Sequence, residues 1–144
     1  MGAGGTKPAI GTLVQATGVV TEFRGAPEFS YPTRVRQMGP GPTPCAPVVV
    51  TVAAVPYNDP ARSEPYESVI VEYRNIAITS VSTYAAYFVD ESGGQGAISR
   101  SSSDHYVPSG GYQVGQRYEY VRGPLLTYYT EYRVYPPPRT TSSP

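Results

Sequence analysis

The residues best equipped for chemistry are few. His105 is the single histidine, and Asp104 precedes it. A serine–histidine–aspartate relay needs a carboxylate that orients the imidazole. Neighbours in an extended segment point to opposite faces, so Asp104 is a poor orienter. No Gly-x-Ser-x-Gly elbow occurs, and His105 reads as a solvated loop residue. Cys45, the single cysteine, lies sixty residues before His105. That spacing makes no transition-metal site, and a single thiol allows no internal disulfide. Asp90-Glu91 offers carboxylates without the alternating acidic residues of a calcium loop. Gly2 to Gly5 precede no strand–helix unit that could cradle phosphate. The expectation is a non-catalytic protein with no cofactor and no metal site.

Glu119 and Glu131 fall on the last two strand-like segments, with Arg117 and Arg133 for company. A cross-strand ladder of ion pairs is expected. Acid–base cleavage of a glycoside would need both carboxyls at a fixed separation in a cleft. Tyrosine is the stronger signal. Tyr118, Tyr120, Tyr128, Tyr129, Tyr132 and Tyr135 crowd this stretch, interleaved with Arg117, Arg122 and Arg133. Aromatics beside arginine can stack bases or anchor a protein interface. Tyr118, Tyr120, Tyr128, Tyr129, Tyr132, Arg117, Arg122 and Arg133 are therefore the interface or ligand-stacking candidates.

Composition narrows the choice. The chain has 144 residues and a formal net charge of zero, from 11 basic and 11 acidic residues. Strong nucleic-acid binding draws on an electrostatic surplus, so neutrality disfavours it as the main role. No apolar run approaches the ~20 residues of a membrane-spanning helix. Residues 1–6 lack the apolar core of a signal peptide. Fourteen tyrosines, no tryptophan and the single lysine Lys7 suggest an extracellular surface.

Fifteen glycines and sixteen prolines, spread along the chain, predict many short strands and turns. Residues 1–9 read as a flexible arm. Leu13 to Phe23 alternates as a strand with a bend at Gly18, and Thr33 to Met38 as a second. Residues 39–47 alternate Gly and Pro and form a connector. Val48 to Val55 reads as a buried strand, and Pro56 to Pro65 as a loop. Strands follow at Ser68 to Val81, Tyr84 to Val89, Gln95 to Arg100, Gln116 to Leu126 and Tyr128 to Tyr135. In the first of these the alternation shifts phase near Arg74-Asn75. Residues 137–144 form a Pro/Ser/Thr tail.

The end of the chain repeats its beginning. Ile10-Gly11, Gly18-Val19-Val20-Thr21, Phe23, Glu28-Phe29 and Arg34-Val35 correspond to Val114-Gly115, Gly123, Leu125-Leu126-Thr127-Tyr128, Glu131-Tyr132 and Arg133-Val134. Each unit reads as a long bent strand feeding a second. Only the second copy has enough chain before it to make a complete small barrel, and the first reads as half a barrel without its front half.

Three motifs carry a family resemblance. Glu64-Pro65-Tyr66-Glu67-Ser68-Val69-Ile70-Val71 with Asn75-Ile76-Ala77-Ile78-Thr79 is one. Phe88-Val89-Asp90-Glu91-Ser92-Gly93 is the second, and Val114-Gly115 to Gly123 with Tyr132-Arg133-Val134-Tyr135-Pro136 the third. Together they resemble the OB-fold-like β-barrel modules of secreted bacterial proteins, of the type found beside extracellular nuclease domains. The resemblance implies an all-β chain. It would hold an OB-like five-stranded Greek-key barrel at about 64–136, within a domain of 48–136, and an additional N-terminal strand pair at 10–38. Position 68 is serine where that family has glycine.

A strand pair without its own front half has unsatisfied edges, and such edges template pairing. The expected function is that of an extracellular structural or interaction module. It would associate with copies of itself or a neighbouring domain through strand and Tyr/Arg-rich contacts, as in a filament subunit. Two alternatives are a single-stranded nucleic-acid-binding module and a carbohydrate-binding module.

Overall fold

A computed structural model describes residues 7–43, 45–100 and 106–137, apart from the side chains of 31–33. Asp104 and His105, most of the N-terminal arm and nearly all of the tail lie outside the described residues. Contacts divide the chain into two compact units, Met1–Ala46 and Pro47–Pro144.

The first unit is a long antiparallel hairpin of β1 (Thr12–Phe23) and β2 (Ala26–Pro40). Arg24 and Gly25 connect them with φ of 54° and 86°. Two left-handed central residues make the kind of turn whose twist matches that of the flanking strands. Cα partners run from Phe23↔Ala26 through Val20↔Phe29 and Ala16↔Val35 to Thr12↔Pro40. The register shifts at Leu13/Val14 and again at Thr17/Val19, around Gly18. β2 begins well before the Thr33 expected from sequence. Pro27 and Pro32 hid it, because proline is tolerated only where a strand has an open edge.

The second unit contains β3 (Val48–Val49), a one-turn helix α1 (Pro60–Ser63), a 3-10 turn (Glu64–Tyr66), β4 (Ile70–Val81), β5 (Ala85–Val89), β6 (Gly96–Ser99), β7 (Arg117–Tyr128) and β8 (Glu131–Val134). The strands order as β3-β4-β5-β6-β8-β7, and β4 pairs with β7 as well. β4 owes its two-sided role to Asn75, which has φ of 51°. One left-handed residue switches the alternation, so Val71 and Tyr73 before it and Ile76 and Ile78 after it all point inward. With Phe88, Ile98, Leu125 and Val134 they form the core. The Tyr73 and Phe88 rings meet edge-on at 5.1 Å. The Tyr73 hydroxyl donates to the Val55 carbonyl at 2.7 Å.

Over the described residues the structure is all-β with two sheets, one of two strands and one of six, and it corrects the expected OB-like five-stranded Greek-key barrel. β3 adds a sixth strand, parallel to β4. The seam between β6 and β8 is a single parallel pair, Ile98↔Val134. Tyr57 sits where a ladder would continue: its N–H donates to the Gln95 carbonyl and its carbonyl accepts from Tyr132 N–H, at 3.0 and 2.7 Å. Strands make that seam with one pair alone and a loop residue fills the rest, so the sheet is curled without a continuous ladder between β6 and β8. The resemblance to OB-like modules of secreted bacterial proteins falls with the barrel. Its motifs were glycines at bends and aromatics in walls, which any strongly curled antiparallel sheet requires.

Two local expectations also change. The strand expected over Val48 to Val55 stops at Val49. Residues 51–55 coil into a turn, with Val55 N–H on the Thr51 carbonyl at 3.0 Å. Asp90 holds that turn by accepting from Val52 N–H at 2.9 Å. The loop expected over Pro56 to Pro65 contains α1, which starts on Pro60, the position where a missing N–H costs nothing.

Candidate interaction surface

The tyrosines and arginines singled out by sequence do not share one face. Around the β4–β7 ladder, Glu72 pairs with Arg122 and Arg74 with Tyr120. The buried Glu72 carboxylate accepts from Arg74 Nε and Arg122 Nε, both at 2.7 Å, and meets Arg122 Nη2 at 2.5 Å. Those two guanidinium hydrogen bonds hold the Glu72 carboxyl below its ordinary range, against the cost of burial. Arg122 also lies over the exposed Tyr120 ring, 4.8 Å from its centroid. The arginines that would grip a phosphate backbone here are already engaged by a carboxylate.

A second cluster occupies the tip of β7 and β8. Arg133 is buried, donates to Glu131 Oε2 from Nε at 2.9 Å and from Nη2 at 2.6 Å, and stacks on Tyr128 at 4.7 Å. Its Nη1 has no hydrogen-bond partner among the described residues. Tyr128 and Tyr129 meet edge-on at 4.8 Å. The Tyr129–Thr130 turn places Tyr129 at φ 58° and leaves its side chain 58% exposed. Glycine is the residue that fits such a position without strain. Tyr132 is instead part of the core wall. Its phenol is pushed up first by burial and then by Glu67 and Glu64.

Tyr118 stands apart from both clusters. It is half-buried, meets Tyr112 edge-on at 5.9 Å and donates to Gln116 Oε1 at 2.8 Å. With Arg117, Glu119, Asn75 and Ile76 it lines a shallow depression of about 240 Å³. Glu119 and Glu131 do not form the expected ladder. Glu131 faces Tyr128 and is paired along its own strand to Arg133, whereas Glu119 lies in the part of β7 that pairs with β4. Asp90 is spent on the turns at Val52 and Ser92. Among the described residues no group of three or more His, Cys, Asp or Glu could hold a metal ion, and no helix is long and apolar enough to cross a membrane.

The hairpin carries a surface that the list of tyrosines and arginines missed. Side chains alternate along a strand, and antiparallel partners share a face. One face of β1–β2 therefore presents Val14, Ala16, Gly18, Val20, Phe29 and Val35, with Gln37 opposite Val14 and Glu22 and Pro27 near the turn. The opposite face mixes the polar Gln15, Thr17, Thr21, Glu28, Ser30, Arg34 and Arg36 with Leu13, Val19, Phe23 and Ala26. On that mixed face Thr21 and Ser30 hydroxyls meet at 2.7 Å, and Ser30 donates to Glu28 at 2.8 Å. None of the described residues of the hairpin is buried; Val20 is 69% and Phe29 45% exposed.

The internal repeat marks part of the same face independently. Gly11 and Gly115 open the two copies with φ of 91° and 89°. In the correspondence Phe29 and Val35 stand against Tyr132 and Val134, which are both buried, whereas Val19, on the opposite face, stands against core-facing Leu125. The β2 part of the hairpin's apolar face is thus the counterpart of a core face. The signal was present in the sequence as i, i+2 alternation plus the repeat.

No family model matches this chain, and neither a curated protein nor a solved structure matches it.

Proposed function

We propose that this protein is a non-catalytic structural module that associates with copies of itself through its N-terminal hairpin. The observation that carries the reading is the uncovered apolar face of β1–β2. An isolated two-stranded hairpin is marginal in water. Strands of 12 and 15 residues gain their order from something that covers that face. Full burial of a valine or phenylalanine contributes about 1.5–3 kcal/mol, and Val14, Val20, Phe29 and Val35 are all exposed. Covering them would supply what the hairpin lacks. The same chemistry suits an extracellular assembly, in which a contact repeated without closing on itself builds a filament.

Sedimentation velocity over a concentration series tests this. The mass should rise with concentration in the wild-type chain. The double variant V20D/F29D should remain at the mass of one chain while keeping the circular dichroism and melting behaviour of the six-stranded unit. A wild-type chain that stays monomeric at millimolar concentration defeats the reading.

A further inference from the structure

We infer that the surface receiving the hairpin is the Tyr128–Tyr129 tip of the six-stranded unit of a second copy. The inference rests on the self-association reading and names the partner surface. Charge argues first. The zero net charge of the chain is unevenly divided. Up to residue 46 there are four basic residues (Lys7, Arg24, Arg34, Arg36) against two acidic ones (Glu22, Glu28). From residue 47 onward seven arginines oppose nine carboxylates. The first unit is therefore +2 and the second −2. Two hairpins laid face to face would bring like charges together, whereas a hairpin laid on a six-stranded unit joins opposite ones.

Strain and exposure place the contact on that unit. Tyr129 keeps a bulky side chain at φ 58°, where glycine would fit better, and holds its ring in solvent beside Tyr128. The hairpin turn asks for a left-handed residue there, as at Arg24, but glycine would meet that need; a large exposed ring kept at such a position marks the tip as a surface that grips something. Tyrosine and arginine are also the anchors enriched at the centres of interfaces. The rim carries the right sign. Glu67 accepts from Thr127 at 2.6 Å, one residue from Tyr128, and Glu64 shares with Glu67 the field that raises the Tyr132 phenol. Arg24, in the hairpin turn between the two faces, is exposed and can meet such a carboxylate; Arg34 and Arg36 face away from the contact and act only through the net charge of the unit. The contact joins two different surfaces, so each chain both gives a hairpin and receives one.

Complementation between full-length variants tests this. V20D/F29D lacks a competent hairpin and keeps the tip; Y129G/E64K lacks the tip and keeps the hairpin. Thermal melts confirm that both fold. Each alone should associate at least tenfold more weakly than wild type. An equimolar mixture should give a complex of two chains that grows no further, since only one productive contact remains. If Y129G/E64K assembles as wild type does, the hairpin is docking elsewhere, for example on a second hairpin, and the inference is overturned. A mixture that stays monomeric also overturns it. Those two failures leave wild-type association standing; loss of wild-type association would remove the self-association reading itself.

Discussion

The chain contains two versions of one hairpin. β7–β8 and β1–β2 share a left-handed opening glycine, a central glycine and a two-residue turn. They differ in what surrounds them. β7 has β4 along Arg117 to Pro124 and β8 beyond it, and its inward residues join the core. Among the described residues β1 pairs with β2 alone, and no described residue of either strand is buried. Local sequence sets the turn and the alternation; a third strand decides whether the apolar face becomes a core or a docking surface. Even the central glycines differ in use. A Cβ on Gly123 would collide with the Tyr135 carbonyl, so that glycine permits a chain crossing, whereas Gly18 marks a shift in register.

The sharpest way to break this comparison is to cut the same ring from each region. Phe88 is fully buried against Tyr73 and Gly96, and Phe88→Ala should cost about 3–5 kcal/mol in urea unfolding. Phe29→Ala should leave the unfolding of the dilute monomer within about 0.5 kcal/mol and weaken association instead. Equal losses in the two variants would mean that the hairpin already has a core.

A smaller effect separates the units by pH. Glu72→Gln should cost about 1–2 kcal/mol, since its two arginine partners are half-exposed. The folded Glu72 carboxyl titrates below its ordinary range. The stability it contributes is therefore complete above the unfolded glutamate pKa of about 4.3 and disappears as pH falls below that value. Wild type should lose stability in this acid window faster than E72Q. Parallel acid curves would show that the two-arginine clamp does not act as drawn.

The smallest effect lies in the turns. Tyr129→Gly removes a left-handed side chain and should raise the stability of the six-stranded unit by about 0.5 kcal/mol, read as a higher melting temperature. A destabilised Y129G would mean that the Tyr128–Tyr129 contact outweighs the backbone strain.

Much of the six-stranded sheet was legible because its strands alternate over enough residues. The readings Ser68 to Val81, Tyr84 to Val89 and Gln95 to Arg100 lie within two residues of β4, β5 and β6. The phase change at Asn75 was visible as a break between Val71/Tyr73 and Ile76/Ile78. The incomplete seam between β6 and β8 was not legible, because it turns on Tyr57, a loop residue whose N–H and carbonyl fill it. Nothing in the local sequence of Tyr57 indicates that role. VVVTVAAV read as one strand because apolar periodicity cannot distinguish a buried strand from a buried turn; the carboxylate that decides it, Asp90, lies some forty residues away. The tyrosine and arginine cluster was legible as composition only. Pairing along a strand, as in Glu131 with Arg133, cannot be told from pairing across strands without the register. The uncovered face of the hairpin was readable, through its alternation and its twin, but it contains no charged or aromatic run to attract notice.

The two shifts of register in β1–β2, at Leu13/Val14 and Thr17/Val19, have a further consequence. A long ribbon with open edges and an apolar side is the sort of segment that seeds amyloid, where flat strands stack in unbroken cross-β ladders. Each shift leaves residues without a partner and adds local twist. Identical ribbons cannot then stack flat and in step over their whole length. The irregularities that make the hairpin a poor template for its own stacking leave its side chains free to recognise a shaped surface.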